Sequence, residues 1–251
     1  MSIGSERRSS PPRGGIEVVF VDLVQARALL DDAEREKPRL SGEDLARAAA
    51  RAAQTGDAAL WRASRIALRI VLERWAGPAI GQKPFVIAHG GRPRLADGLP
   101  AFSHAHSGGA ALIAVQAHDP IGVDLEQGRL LNMSAERGAR VVAAATALAP
   151  DAPLTGDDTQ RCLQAWVRLE AVAKASGAGI GATLTDAGVV GPRQGRRSAH
   201  EGVALEVRDI DVRDGYFAAV AAAALPPELA ITPFPGNRDE LHHFIGAGAA
   251  A

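Results

Sequence analysis

The chain has 251 residues, 47% of them apolar, which is enough for one large domain or two small ones. Its formal net charge of −1 gives no global signal for nucleic acid or for an anionic membrane surface. Cys162 is the single cysteine, so a disulfide framework and a cysteine zinc cluster are both excluded.

Residues 1–15 are rich in Ser, Pro, Arg and Gly and lack an apolar signal core, so a disordered tail is expected. No apolar run approaches the ~20 residues of a membrane span, and a cytoplasmic protein is expected. Ile16 to Val24 contains V-V-F-V and reads as a strand. Ser41 and Asp44 form a loose capping box ahead of L-A-R-A-A-A-R-A-A, a helix. A second helix is predicted from Ala58 to Trp75, where Leu60, Ala63, Ala67, Ile70 and Val71 recur at near-helical spacing, and Gly77-Pro78 ends it. Phe85 to Ala88 reads as a short strand before the turn G-G-R-P-R-L.

F-S-H-A-H-S-G-G, Phe102 to Gly109, has small and polar residues and reads as a loop entering the strand Ala111 to Ala117. After the turn His118-Asp119-Pro120, a strand begins at Ile121, and the two strands are expected to pair as a hairpin. Met133 to Ala149 reads as an Ala-rich helix. Gln160 to Ser176 is the longest clear helix, stopped by Gly177 and Gly179. Gly188 to Gly202, with Arg193, Arg196 and Arg197, reads as an exposed mobile loop. V-A-L-E-V-R-D-I-D-V and Y-F-A-A-V-A-A then read as a second hairpin. The segment after Pro226 reads as a loosely attached tail.

In I-G-V-D-L-E the apolar and acidic residues alternate, so on a strand Asp124 and Glu126 share one face. Two adjacent carboxylates repel unless a cation lies between them, and Mg²⁺ takes oxygen ligands of this kind. A wet edge strand is the plain alternative. Glu170 and Lys174 lie one turn apart on the later helix with Trp166, and their plain reading is an i, i+4 ion pair of ~0.3–0.5 kcal/mol. Trp166 reads as core. On a strand His104 and His106 would share a face that zinc could bridge, but no third nitrogen or sulfur ligand is in view.

Taken in order, these blocks resemble the 4′-phosphopantetheinyl transferases, in their larger single-chain, surfactin-synthetase-activating class. The resemblance rests on L-S-G-E-D-L-A-R-A with S-R-I-A-L-R, on G-R-P-R-L with F-S-H-A-H-S-G, on I-G-V-D-L-E, and on W-V-R-L-E-A-V-A-K-A-S-G-A-G, with a weaker fifth block at Y-F-A-A-V-A. It implies an α/β (α+β) fold of two similar lobes related by a pseudo-two-fold axis. The lobes would span 16–109 and 110–226, with a tail at 227–251 and coenzyme A in the cleft between them. It implies Mg²⁺-dependent transfer of 4′-phosphopantetheine from coenzyme A to a serine of an apo acyl or peptidyl carrier protein, releasing adenosine 3′,5′-bisphosphate, by a monomer with no nucleic-acid or membrane partner.

By the same resemblance Asp124, Glu126 and Glu170 are the metal ligands, and Lys174 contacts the transferring phosphate. His106 contacts a phosphate of coenzyme A. Arg47 takes the basic place for the 3′-phosphate, and Gly91 and Arg92 the family's G-K-P turn. Glu170 is the candidate base for the serine proton. The family's F-x-x-x-E segment, which helps receive the carrier protein, is blurred here into V-V-A-A-A-T-A-L-A-P, and two single positions also depart from the pattern. Ala105 replaces a polar residue and Leu169 a lysine. They motivate the alternative of a non-catalytic relative that binds coenzyme A or a carrier without transfer. A third reading is a metal-dependent phosphohydrolase or nucleotidyl-transfer enzyme sharing only the acidic cluster, but it leaves the order of the blocks unexplained.

Overall fold

The computed structural model describes residues 15–54, 58–87, 92–96, 99–191 and 204–249. The expected disordered tail, the Arg-rich loop and Gly91 lie wholly or mostly outside them. The described chain is mixed α and β, with two principal sheets that meet along one seam.

β1 (Glu17–Asp22) is the spine of the first sheet. It pairs antiparallel with β5 (Ala110–Gln116) and parallel with β9 (Ile231–Pro233), and β5 pairs antiparallel with β4 (Ala101–Ser107). Every residue of β5 is buried, as its unbroken apolar run demands. Asp22 ends β1 and caps α1 (Leu23–Glu36), its Oδ1 accepting from the amides of Val24 and Gln25. α2 (Gly42–Gln54) starts at the expected box: Ser41 Oγ accepts from Asp44 N, and Asp44 Oδ2 accepts from Ser41 N. α3 (Ala58–Ala76) carries Ile66, Leu68, Ile70 and Leu72 into the core beneath the sheet.

The second sheet has the order β6 (Ile121–Gln127), β8 (Tyr216–Ala222), β7 (Glu206–Asp209), all antiparallel. α4 (Ala135–Leu148) packs on α5 (Asp158–Ser176), which lies along β6 and β8, and α6 (Ile180–Asp186) follows. A full capping box of Asp157 and Gln160 starts α5, and Gly177, at φ 71°, stops it in the left-handed region.

Several expectations need correcting. Phe102 to Gly109 is a strand and its turn, not a loop: small side chains at Ser103, Ala105 and Ser107 let β4 lie flat against the neighbouring sheet. β5 and β6 do not form a hairpin, because β5 turns back along β4 while β6 finds β8. The chain passes from the first sheet to the second at the His118–Pro120 turn, between β5 and β6. The segment after Pro226 is not a loose tail. β9 extends the first sheet, and α7 (Arg238–Ala249) buries Leu241 and Phe244 in the core cluster of α3. Arg74 holds it there, donating to Phe244 O with its guanidinium 4.5 Å from the Phe244 ring centroid. α1 was unanticipated, since its apolar stripe is thin between charged residues.

At the seam β4 and β6 run side by side, joined by serine hydroxyls. Ser103 Oγ accepts from Val123 N and Ser107 Oγ accepts from Gln127 N, each at 3.0 Å. The register advances by the same step on both strands, so they are parallel. Gly122 is the closest approach between sheet and helix: a Cβ there would lie 2.0 Å from Ala171 O and 2.5 Å from Ala175 N of α5. Only glycine lets the α5 backbone settle on β6 at this depth.

Candidate functional site

The close approach at Gly122 brings the acidic strand and the helix-borne pair together. Asp124 points from β6 toward α5, where Lys174 Nζ donates to its Oδ1 at 2.7 Å. The other carboxylate oxygen, Oδ2, is buried and has no hydrogen-bond partner. Burial pushes the Asp124 carboxyl up, Lys174 opposes that, and the charge of Glu126 adds to it. Glu126, two residues on, is half-buried at the rim. Ser107 Oγ donates to its Oε2 at 2.9 Å, and Arg129 donates to both oxygens at 3.3 and 3.1 Å.

Glu170 sits one turn before Lys174 on α5 and lines a cleft of about 260 Å³ with Arg92, Ser103, His104, Lys174 and Gly179. Its carboxyl is pushed up to about 7, by burial first and then by Asp124, with Lys174 opposing and Glu126 adding. The plain ion-pair reading of Glu170 with Lys174 gives way to a different pairing, since the ammonium goes to Asp124. The strand acids and the helix acid thus share one electrostatic neighbourhood, but each strand acid is neutralised by its own cation. Among the described residues no three His, Cys, Asp or Glu side chains are gathered as a ready metal cage.

Asp124, Glu126 and Glu170 are oxygen donors of the type a hard divalent cation takes, though they are not gathered into one cage here. The unpartnered Oδ2 of Asp124 and the raised Glu170 are groups that such a cation would satisfy.

His106 is half-buried on β4, with its ring parallel to that of His104, 5.7 Å between centroids and 13° between planes. Arg92 lines the cleft and also reaches backbone carbonyls. Its guanidinium donates to Ala175 O on α5 at 3.0 Å, to Phe102 O on β4 at 3.3 Å and to Ile121 O on β6 at 3.1 Å. It fastens the three elements that carry the site. Arg47 lies exposed on α2, paired with Glu43 at 2.7 Å.

Arg65 was missed as a site neighbour, because its helix position reads as polar surface. It is buried, donates to Asp44 Oδ1, and lies 5.6 Å from the Trp61 ring centroid and 5.0 Å from that of Phe85. Arg69 takes the other Asp44 oxygen, so one carboxylate serves two guanidinium groups. Arg47 and Arg65 feel each other, as do Arg65 and His104, and His104 and Lys174.

The two departures acquire physical reasons. Ala105 faces away from His104 and His106, into the cluster of Leu112, Ile121 and Val123. Leu169 is fully buried against Val141, Ala145 and Leu184, where a lysine would have no solvent. Neither side chain belongs to the cleft.

A scan against models of known protein families finds none that matches this chain, and no curated protein matches it.

Proposed function

We propose that the protein is a 4′-phosphopantetheinyl transferase with that family's two pseudo-symmetric lobes, acting on coenzyme A and an apo acyl or peptidyl carrier protein. What supports the reading is the meeting of Asp124 with Lys174 at 2.7 Å, across the long separation between β6 and α5, with Glu170 beside them. This is the acid–acid–lysine set that the blocks of sequence imply, brought together by the approach at Gly122.

Mg²⁺ would be held by Asp124, Glu126 and Glu170, and when bound it supplies charge screening for the diphosphate under attack. Lys174 steadies the phosphate oxygens as a point charge. Arg47 and His106 hold the other phosphate charges of coenzyme A, which is positioning. The carrier serine Oγ bonds to the phosphorus bearing pantetheine, and the P–O bond to the adenosine bisphosphate breaks. Glu170 is the base that takes the serine proton.

The experiment is chromatography of coenzyme A incubated with Mg²⁺, with and without apo-carrier protein. Carrier-dependent release of adenosine 3′,5′-bisphosphate, lost in Asp124→Ala, is the expected result. Release of inorganic phosphate without a carrier would make the chain a hydrolase instead. Coenzyme A bound but left whole with every carrier would favour the non-catalytic relative.

A further inference from the structure

His104 has no role in the mechanism above, yet it is the histidine that lines the cleft. We propose that it is a second ligand-contacting histidine, its Nε2 hydrogen-bonded to a diphosphate oxygen of coenzyme A beside Lys174. The proposal rests on the transferase reading and adds a residue to that site.

Strand alternation on β4 sets Phe102, His104 and His106 on one face. Phe102 turns into the core against Phe85. His104 and His106 stay together with near-parallel rings. His104 lines the cleft that Glu170, Lys174 and Arg92 also line. Four side-chain atoms among the described residues are buried without a partner, and two of them, His104 Nε2 and Asp124 Oδ2, belong to this site. Asp124 Oδ2 is a group for a cation, and His104 Nε2 is left as the one that a ligand would satisfy.

The surrounding charge says which ligand. Arg65 and Lys174 bring positive charge to bear on the imidazole, and His106 stands beside it. The same three neighbours favour an anion placed against it. An imidazole carrying a proton on Nε2 donates to a phosphate oxygen. The cleft is small, about 260 Å³, which suits the diphosphate and its immediate neighbours rather than the whole cofactor.

The test is calorimetric titration of coenzyme A into the full chain with Mg²⁺ and no carrier protein, so that binding is read apart from transfer. His104→Ala is expected to raise Kd ~10- to 100-fold, the usual range for a hydrogen bond to a charged group, and His104→Gln, which keeps a donor, to recover part of it. In the unsubstituted chain the ¹⁵N resonance of His104 Nε2 is expected to move on addition of coenzyme A, and this reading decides the matter should His104→Ala fail to fold. An unchanged Kd in a folded His104→Ala, or a resonance that stays still while coenzyme A binds, overturns the His104 assignment and leaves the transferase reading standing. No binding of coenzyme A by the unsubstituted chain removes both.

Discussion

Lys174 gives its ammonium to Asp124, and Glu170, one turn earlier on α5, feels the charge of both strand carboxylates. The consequence is measurable without any ligand. The folded Glu170 carboxyl sits at about 7 against an ordinary 4.5, so the folded chain keeps a proton that the unfolded chain has released between those values. The stability that goes with this proton is full below the ordinary value and is lost as pH rises through about 7. Glu170→Gln cannot lose it. In chelator its Tm is expected to exceed the parent's on the alkaline side of about 7 and to converge with it toward 4.5, as followed by circular dichroism. Equal Tm values at every pH would place the carboxyl in ordinary solvent. The same variant is expected to be inactive in transfer. Arg129 makes a second residue-scale prediction. It holds both oxygens of Glu126, where the reading puts a metal ligand. Arg129→Ala is expected to tighten Mn²⁺ binding several-fold in an electron paramagnetic resonance titration, because a competing cation is gone. Weaker binding would mean that Arg129 helps to shape the ion site.

The elements that carry the site were legible to different degrees. α3 and α5 could be read from their spacing and stop signals, and β6 from its alternation, because these are one-sided amphipathic or alternating segments. β4 was not. Its histidines, serines and alanines resemble a loop, and they form a strand because both of its faces are taken, one by the cleft and one by β6. Tertiary packing also decides Arg65 and Arg92, whose types suggest surface or phosphate but whose guanidinia are turned inward. Two predictions belong here. Gly122→Ala puts a methyl into the α5 backbone and is expected to destabilise by ~1–3 kcal/mol in urea, with loss of transfer in whatever fraction still folds. Full activity would show that α5 has room to move. Arg92→Ala loosens the junction of β4, β6 and α5. It is expected to lower kcat ~10-fold or more with a small change in KM for coenzyme A, since displacement of the reacting groups is what it causes. A rise in KM alone would restore Arg92 to the phosphate site.

At the scale of the whole molecule, the chain closes on itself: its C-terminal segment returns to the first sheet, where β9 pairs with β1 and α7 covers α3. The sequence could not announce this return, because a short strand beside Pro233 and a helix ending in small residues carry little periodic signal. The alternation that marks Asp124 and Glu126 was legible, and so was the spacing of Glu170 and Lys174, but not which cation each acid takes. No described helix is long and apolar enough to cross a membrane. Truncation after Pro226 strips Leu241 and Phe244 from the core and is expected to destabilise the chain by at least about 3 kcal/mol, seen as early protease cleavage. Cleavage at the parent's rate would mean that the first sheet stands without its cover. The most direct test of the central claim is the intact mass of apo-carrier proteins of the fatty-acid, polyketide and peptide classes after incubation with this chain, coenzyme A and Mg²⁺. At least one carrier is expected to gain a single phosphopantetheine on its serine, with no gain from Glu170→Gln. A panel that stays unmodified, or an equal gain from the Glu170→Gln variant, would contradict the account.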